Sequence, residues 1–290
     1  MSIYSFQSEP ELNAPVMVSA LAGWVDAAGA GTTAAAHLAD GGEIIARFDG
    51  DVLFDYRSQR PILDIVDGRM RKAVWPQVTV THSVVAGRDI LVLSGAEPDM
   101  AWRRFAAGVA DVAARLHVAQ LITLGSVPAA VPHTLPAPVM TTASDDALLK
   151  DGNRPPEGLL RVPAAAVSMV DMHVAEQGVP TVGFFVQVPH YVTGTYPSGV
   201  LALLQRFSHH LELEMPLGSF EEEASVHRHQ LDDIVEQQPE AREHIRALES
   251  MSVDRVVSGE ELASEIERYL RDAAPGDRGP FEGPEEGSDR

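Results

Sequence analysis

Cysteine is absent from all 290 residues. Disulfides, thiolate metal centres and a cysteine nucleophile are therefore excluded. Lysine is almost absent too, with Lys72 and Lys150 alone, so arginine carries nearly all the positive charge. Lys+Arg total 22 against 42 Asp+Glu, and the formal net charge is -20. So acidic a chain repels nucleic acid and anionic membranes on average, and neither is an expected partner. No apolar run reaches the ~18 residues that a membrane-spanning helix needs. The opening MSIYSFQSEPELN is too polar for a signal peptide. The expectation is a soluble, cytoplasmic protein. Aromatic residues are few, at 6%, yet 45% of residues are hydrophobic. That suffices for one large core, or for a core domain with an appendage.

Character changes along the chain. Up to about Met215, short apolar runs alternate with amphipathic segments. APVMVSALAG, EIIARF, QVTVTHSVV, DILVLSG, AQLITLG and PTVGFFVQV read as strands, β-branched and bounded by Gly, Pro or charge. EPDMAWRRFAAGVADVAARLHV places Trp102, Phe105, Val109, Val112 and Leu116 at helical spacing, with Asp99 the expected N-cap. PAAAVSMVDMHVAEQG and PSGVLALLQRFSHHLEL behave alike; the second puts Pro197 at a first helical position and Leu203, Leu204, Phe207 and Leu211 on one side. Near-continuous apolar strands alternating with helices predict a three-layer α/β/α sandwich with a mixed, mainly parallel sheet. VVAGRDI predicts a hairpin within it.

Residues 1–215 are thus expected to form the core domain, 216–274 an acidic helical appendage, and 275–290, rich in Pro, Gly and acid, a disordered tail. The appendage carries two capping-box patterns, Ser219 with Glu222 and Ser258 with Glu261. Leu231, Ile234 and Val235 form one apolar stripe, and Leu262, Ile266, Tyr269 and Leu270 another. Such helices need a surface to cover, either the core or a neighbouring subunit.

In an open α/β sheet, ligands bind beyond the carboxyl ends of the strands. Three loops should meet there: GWVDAAGAG, GSVPAAVPHT and VPHYVTGTYPSG. The first resembles a phosphate cradle, but Gly23, Gly29 and Gly31 do not have the dinucleotide spacing, no lysine is near for a P-loop, and Asp26 would repel phosphate. Asp26 reads better as a helix cap. His133 and His190 each follow a proline at a strand end, where a neutral imidazole could act as a general base or simply hold its loop. The candidate pocket is Trp24, Asp26, His133, Thr134, His190 and Tyr196. There is no G-x-S-x-G and no H-E-x-x-H. HRHQLDD offers His227, His229, Asp232 and Asp233, but nothing else nearby completes a metal shell, and no metal or cofactor is expected. In FDYRSQRP, Arg57 and Arg60 suit an anion or, better, an ion pair at a subunit contact.

Taken together, ALAGWVDAAGAGTTAAAHL, FDYRSQRP, VPHTLPAPV and VPHYVTGTYPSGVLALLQRF resemble the actinobacterial branch of the proteasome assembly chaperone family. The resemblance covers most of residues 1–215. It implies a nucleoside phosphorylase–hydrolase-like α/β/α core with C-terminal helices, and a homo-oligomer, with a trimer favoured. It also implies a non-catalytic assembly or scaffold role with a proteasome-related protein partner. The chain ends in EEGSDR and Tyr269 lies well inside it, unlike the hydrophobic–Tyr ending of some proteasome-binding proteins. The alternative is a binder or hydrolase of a nucleoside-like or anionic metabolite, with its site at the strand ends.

Overall fold

The structure is a computed structural model, and it describes residues 3–149 and 158–253. Ten strands form: β1 Tyr4–Phe6, β2 Val16–Ala22, β3 Glu43–Phe48, β4 Ile62–Val66, β5 Arg69–Val74, β6 Val78–Val85, β7 Arg88–Ala96, β8 Gln120–Ala129, β9 Val139–Ala143 and β10 Thr181–Pro189. The helices are α1 Ala30–Leu38, the single turn α2 Gly50–Leu53, α3 Trp102–Arg115, α4 Ala166–Glu176, α5 Pro197–Leu211, α6 Phe220–Glu236 and α7 Pro239–Val253.

Eight strands make one mixed sheet in the order β1-β3-β6-β7-β2-β8-β10-β9. Its centre, β7-β2-β8-β10, is parallel, and the flanking pairs are antiparallel. Five of the eight therefore run the same way: β3, β7, β2, β8 and β10. The expected hairpin is present, with Val85 opposite Arg88 and the turn residues Ala86 and Gly87 both at positive φ.

The sheet is covered on both faces, which is why its central strands read as unbroken apolar runs. In β2, Val16, Val18 and Ala20 face α1 and α5, while Met17 and Leu21 face α3 and α4. The small residues of α1 let it lie close against β8: a Cβ on Gly31 would come 2.8 Å from the Leu124 carbonyl oxygen. In α5, Pro197 opens the helix as expected, and Leu203, Leu204 and Phe207 are fully buried. Each such side chain contributes roughly 1.5–3 kcal/mol of burial.

Two expected caps form differently. Asp99 does not cap α3, whose N-cap is Ala101 at φ 56 with no side-chain bond. The left-handed turn carries the helix start away from Asp99, and its carboxylate instead accepts from the Asp55 amide (2.9 Å) and Gln59 Nε2 (3.3 Å). Ser219 does start α6, but its hydroxyl donates to Glu223, one residue later than expected, and caps no backbone amide. Ser258, Glu261 and the Leu262–Leu270 stripe lie outside the described residues, as does the expected tail.

β4 and β5 stand apart from the main sheet as a separate two-stranded hairpin. Its turn is Asp67-Gly68, both at positive φ. Every residue from Ile62 to Trp75 is exposed, including Met70 at 77% and Ile62 at 69%. The root is held by Tyr56 edge-on to Trp75, with centroids 4.8 Å apart, and by Gln59 Nε2 donating to the Glu97 carbonyl (2.9 Å).

Candidate functional site

Three loops leave the carboxyl ends of β2, β8 and β10, and α6 and α7 lie across two of them. After β2 the chain must turn sharply against Glu97. A Cβ on Gly23 would meet the Glu97 carboxylate at 2.2 Å, so only glycine fits. Glu97 then accepts from the Ala166 amide (2.7 Å) and fixes the start of α4. Desolvation raises its pKa.

Asp26 serves α1. Its Oδ1 accepts from the Thr32 amide (3.1 Å) and its Oδ2 from the Thr32 hydroxyl (2.5 Å). The residue at the α1 N-cap position is Gly29, so Asp26 reaches the first turn from three residues further back. Burial raises the Asp26 pKa, while the Thr32 hydrogen bonds oppose the shift. The carboxylate is bonded to the first turn of α1, and the loop is a turn with its cap.

Beyond β8, the buried His133 is held from both sides. The Tyr191 hydroxyl accepts from the His133 amide (2.7 Å) and lies 2.8 Å from Nδ1, while Nε2 lies 3.3 Å from Asp232 Oδ1 on α6. A neutral ring satisfies all three contacts when Tyr191 donates to Nδ1 and Nε2–H donates to Asp232. Both nitrogens are then engaged, Nδ1 by Tyr191 and Nε2 by Asp232. Burial lowers the His133 pKa, partly offset by Asp232. Next to it, Thr134 donates its hydroxyl to Glu249 on α7 (2.5 Å), and its carbonyl accepts from Arg228 on α6.

After β10, His190 is exposed and its ring stands edge-on to Tyr191 and to His244 of α7, at 5.4 Å in each case. Tyr196 is buried at the start of α5, edge-on to His227 of α6 at 6.1 Å. Desolvation raises its pKa to about 12. Four of the six pocket residues, His133, Thr134, His190 and Tyr196, thus meet α6 and α7. Trp24 does not join them. It packs with the α3–α4 layer, and its Nε1 donates to the Ala164 carbonyl (3.2 Å).

Trp24 instead lines a cavity of about 700 Å³ beside α4. Asp171, which sequence reasoning did not single out, is there. A buried relay crosses two strands to reach it: Ser19 Oγ lies 2.6 Å from Thr123 Oγ1, which donates to Asp171 Oδ1 (2.5 Å). Desolvation pushes the Asp171 pKa up to about 7. Tyr191, Arg228 and Glu97 were also missed, because nothing local in the sequence marks their distant partners; Asp232 stood among the metal-ligand candidates of HRHQLDD, and its partner is instead His133.

Arg57 pairs with its own neighbour Asp55 (3.2 Å) on the surface, and Arg60 is exposed at the root of the β4–β5 hairpin. His229 bonds back to the Ser225 carbonyl within α6 (2.7 Å). Among the described residues, no three His, Asp or Glu side chains converge as a metal site, and no helix is long and apolar enough to cross a membrane.

The sequence profile of the PAC2 family matches residues 20–235. Solved structures of similar proteins include a Mycobacterium tuberculosis protein of unknown function, 33% identical, covering 92% of this chain and 96% of that one with a TM-score of 0.83. A Streptomyces avermitilis PAC2 family protein is 32% identical over 80% of this chain and 99% of that one, TM-score 0.72. A Mycobacterium tuberculosis proteasome-assembly chaperone homologue is 31% identical over 79% and 99%, TM-score 0.74. No functionally curated protein matches. With the profile spanning most of the core and relatives above 30% identity matching along nearly their whole length, the chain belongs to the PAC2 family.

Proposed function

We propose that this chain is a non-catalytic, assembly-chaperone-like or scaffold protein with a proteasome-related partner, working in the cytoplasm as a homo-oligomer of three copies. The observation that carries this reading is the β4–β5 hairpin. Two strands alone are marginal in water, yet this pair extends with Ile62, Leu63, Ile65, Val66 and Met70 all exposed. A hairpin of that composition is a contact surface. Its charge points to a second copy as the chain that covers it. Residues 60–75 hold Arg60, Arg69, Arg71 and Lys72 against Asp64 and Asp67, so the arm is locally basic on a chain of net charge -20. A head-to-tail contact of arm and acidic surface closes into a ring when the rotation permits.

The strand-end loops support a non-catalytic role. The Asp26 carboxylate and both His133 nitrogens are taken up by bonds that hold the fold. The proteasome partner rests on the relative described as a proteasome-assembly chaperone homologue. The test is to mix the purified chain with proteasome α and β subunits and follow assembly intermediates by native mass spectrometry. A complex with free subunits, or faster ring formation, is expected. No complex together with unchanged assembly kinetics would overturn the partner assignment.

A further inference from the structure

The cavity of about 700 Å³ beside α4 is built on the α3–α4 face of the sheet. Phe185 of β10 forms part of its floor and sits opposite Gly125 of β8. A Cβ on Gly125, or on Gly183 two residues before Phe185, would come 2.6 Å from the Phe185 ring. Glycine at both positions therefore lets the ring lie against the two strands, and space remains over it. Met140, Met169 and Met172 join Trp24 and Phe185 in the walls. Thioethers adapt to the shape of what they cover, and aromatic faces attract cations.

One charged group in these walls keeps a place for a partner. Asp171 is half-buried, and Thr123 donates to its Oδ1 (2.5 Å). Thr123 is the only hydrogen-bond partner of that carboxyl group among the described residues, so Oδ2 is left without one. Thr123 lies 2.6 Å from Ser19 Oγ, and both residues are fully buried, which fixes where the carboxyl group stands. Among the described residues the lining holds no Lys, Arg or His. Its other acid is Glu176, also on α4, which is exposed and has His173 at 3.3 Å. The lining parts of β8, β9, β10 and residues 160–164 carry no charge. A carboxylate taken out of water with no counter-charge gains most from a ligand that brings one. Apolar walls around a single fixed polar anchor, in a volume of about 300–1,000 Å³, are the usual form of a small-molecule site.

We propose that this cavity binds a small organic amine, with the ammonium group on Asp171 Oδ2 and the apolar body against Trp24, Phe185 and the methionines. The ammonium favours the ionised carboxylate. Binding near neutral pH therefore displaces the proton that Asp171 holds, since its pKa stands at about 7. The site does not depend on the partner proposed above.

The test is calorimetric titration and thermal unfolding of the full chain with phenethylamine, phenylacetate and methylammonium. At pH 8 phenethylamine should bind and raise the melting temperature. Phenylacetate has a similar body and the opposite charge, and it should not bind. Methylammonium should bind about tenfold more weakly or less, for lack of an apolar body. Asp171→Asn should weaken phenethylamine binding about tenfold or more. Asp64→Asn, on the exposed β4–β5 hairpin, should leave it unchanged and so excludes general attraction to an acidic chain. At pH 6.5 binding should release protons, read as a binding heat that changes with the ionisation enthalpy of the buffer. That measurement uses the parent chain and keeps the test meaningful even if Asp171→Asn unfolds. The proposal is overturned if phenethylamine does not bind at pH 8, or if phenylacetate or methylammonium binds as well as it does. It is equally overturned if folded Asp171→Asn binds like the parent, or if binding at pH 6.5 releases no protons.

Discussion

The Tyr191 hydroxyl lies within 2.8 Å of both the amide and Nδ1 of His133, binding the loop after β10 to the loop after β8. Tyr191→Phe removes the oxygen and leaves two polar groups of a buried residue without that partner. The expected loss of stability is about 1–3 kcal/mol, read from the urea midpoint at constant m-value. His133→Ala should cost little beyond that in a Tyr191→Phe background, because the two residues act as one unit.

Acid should loosen α6 and α7. Burial lowers the pKa of both His133 and His227, and His133 further lowers that of His227. Below the ordinary histidine value of about 6.5 the unfolded chain therefore binds more protons than the folded one. Their contribution is complete above that pH and falls as pH drops. The groups facing His133 include Asp232 and Glu249, which oppose the shift, and Arg228, which adds to it. Hydrogen exchange in residues 220–251, corrected for intrinsic rate, should be faster at pH 5 than at pH 7.5. His133→Gln, which keeps a polar side chain that does not titrate there, should flatten part of that dependence.

Asp26 acts as a cap, so its chemistry is replaceable. Asp26→Asn keeps an oxygen for the Thr32 amide and should cost less than about 0.5 kcal/mol. Asp26→Ala loses the cap and should cost about 0.5–2 kcal/mol. Equal and large losses from both, measured by thermal unfolding, would mean that the negative charge itself matters.

Asp171 should be a stability liability at neutral pH. Its folded pKa of about 7 lies above the unfolded value, so folding favours the protonated acid and the charged form costs stability as pH rises. Asp171→Asn should then exceed the parent by more than about 1 kcal/mol at pH 8, with the gain fading toward pH 4. A variant less stable than the parent at pH 8 would instead show that the Thr123 hydrogen bond to the carboxylate outweighs its desolvation.

The central strands and the main helices were legible because their patterns are local. VMVSALA has to be buried on both faces, and β2 is. Trp102 to Leu116 follow a helical stripe, and α3 buries it. The β4–β5 hairpin carries a local signal too, the Asp67-Gly68 pair after the β-branched run ILDIV. β9 is five residues at the sheet edge and carries little pattern of its own. The site was the least legible part. His133 and Asp232 are 99 positions apart, and only the path of α6 across the strand ends brings them together. The loops that carry the candidate residues do leave the carboxyl ends of β2, β8 and β10, but Trp24 packs with the α3–α4 layer, away from the α6–α7 contact, and no local pattern marks that separation.

The hairpin arm is the feature on which the contact-making role depends, and its test is the molar mass of the purified chain by light scattering during gel filtration. The parent should elute at three times the chain mass, and an Ile65→Glu, Met70→Glu variant, altered only at exposed positions, should elute as a folded monomer. A monomeric parent, or a variant that keeps the parent's mass, would contradict the assignment of the arm as the joint between copies.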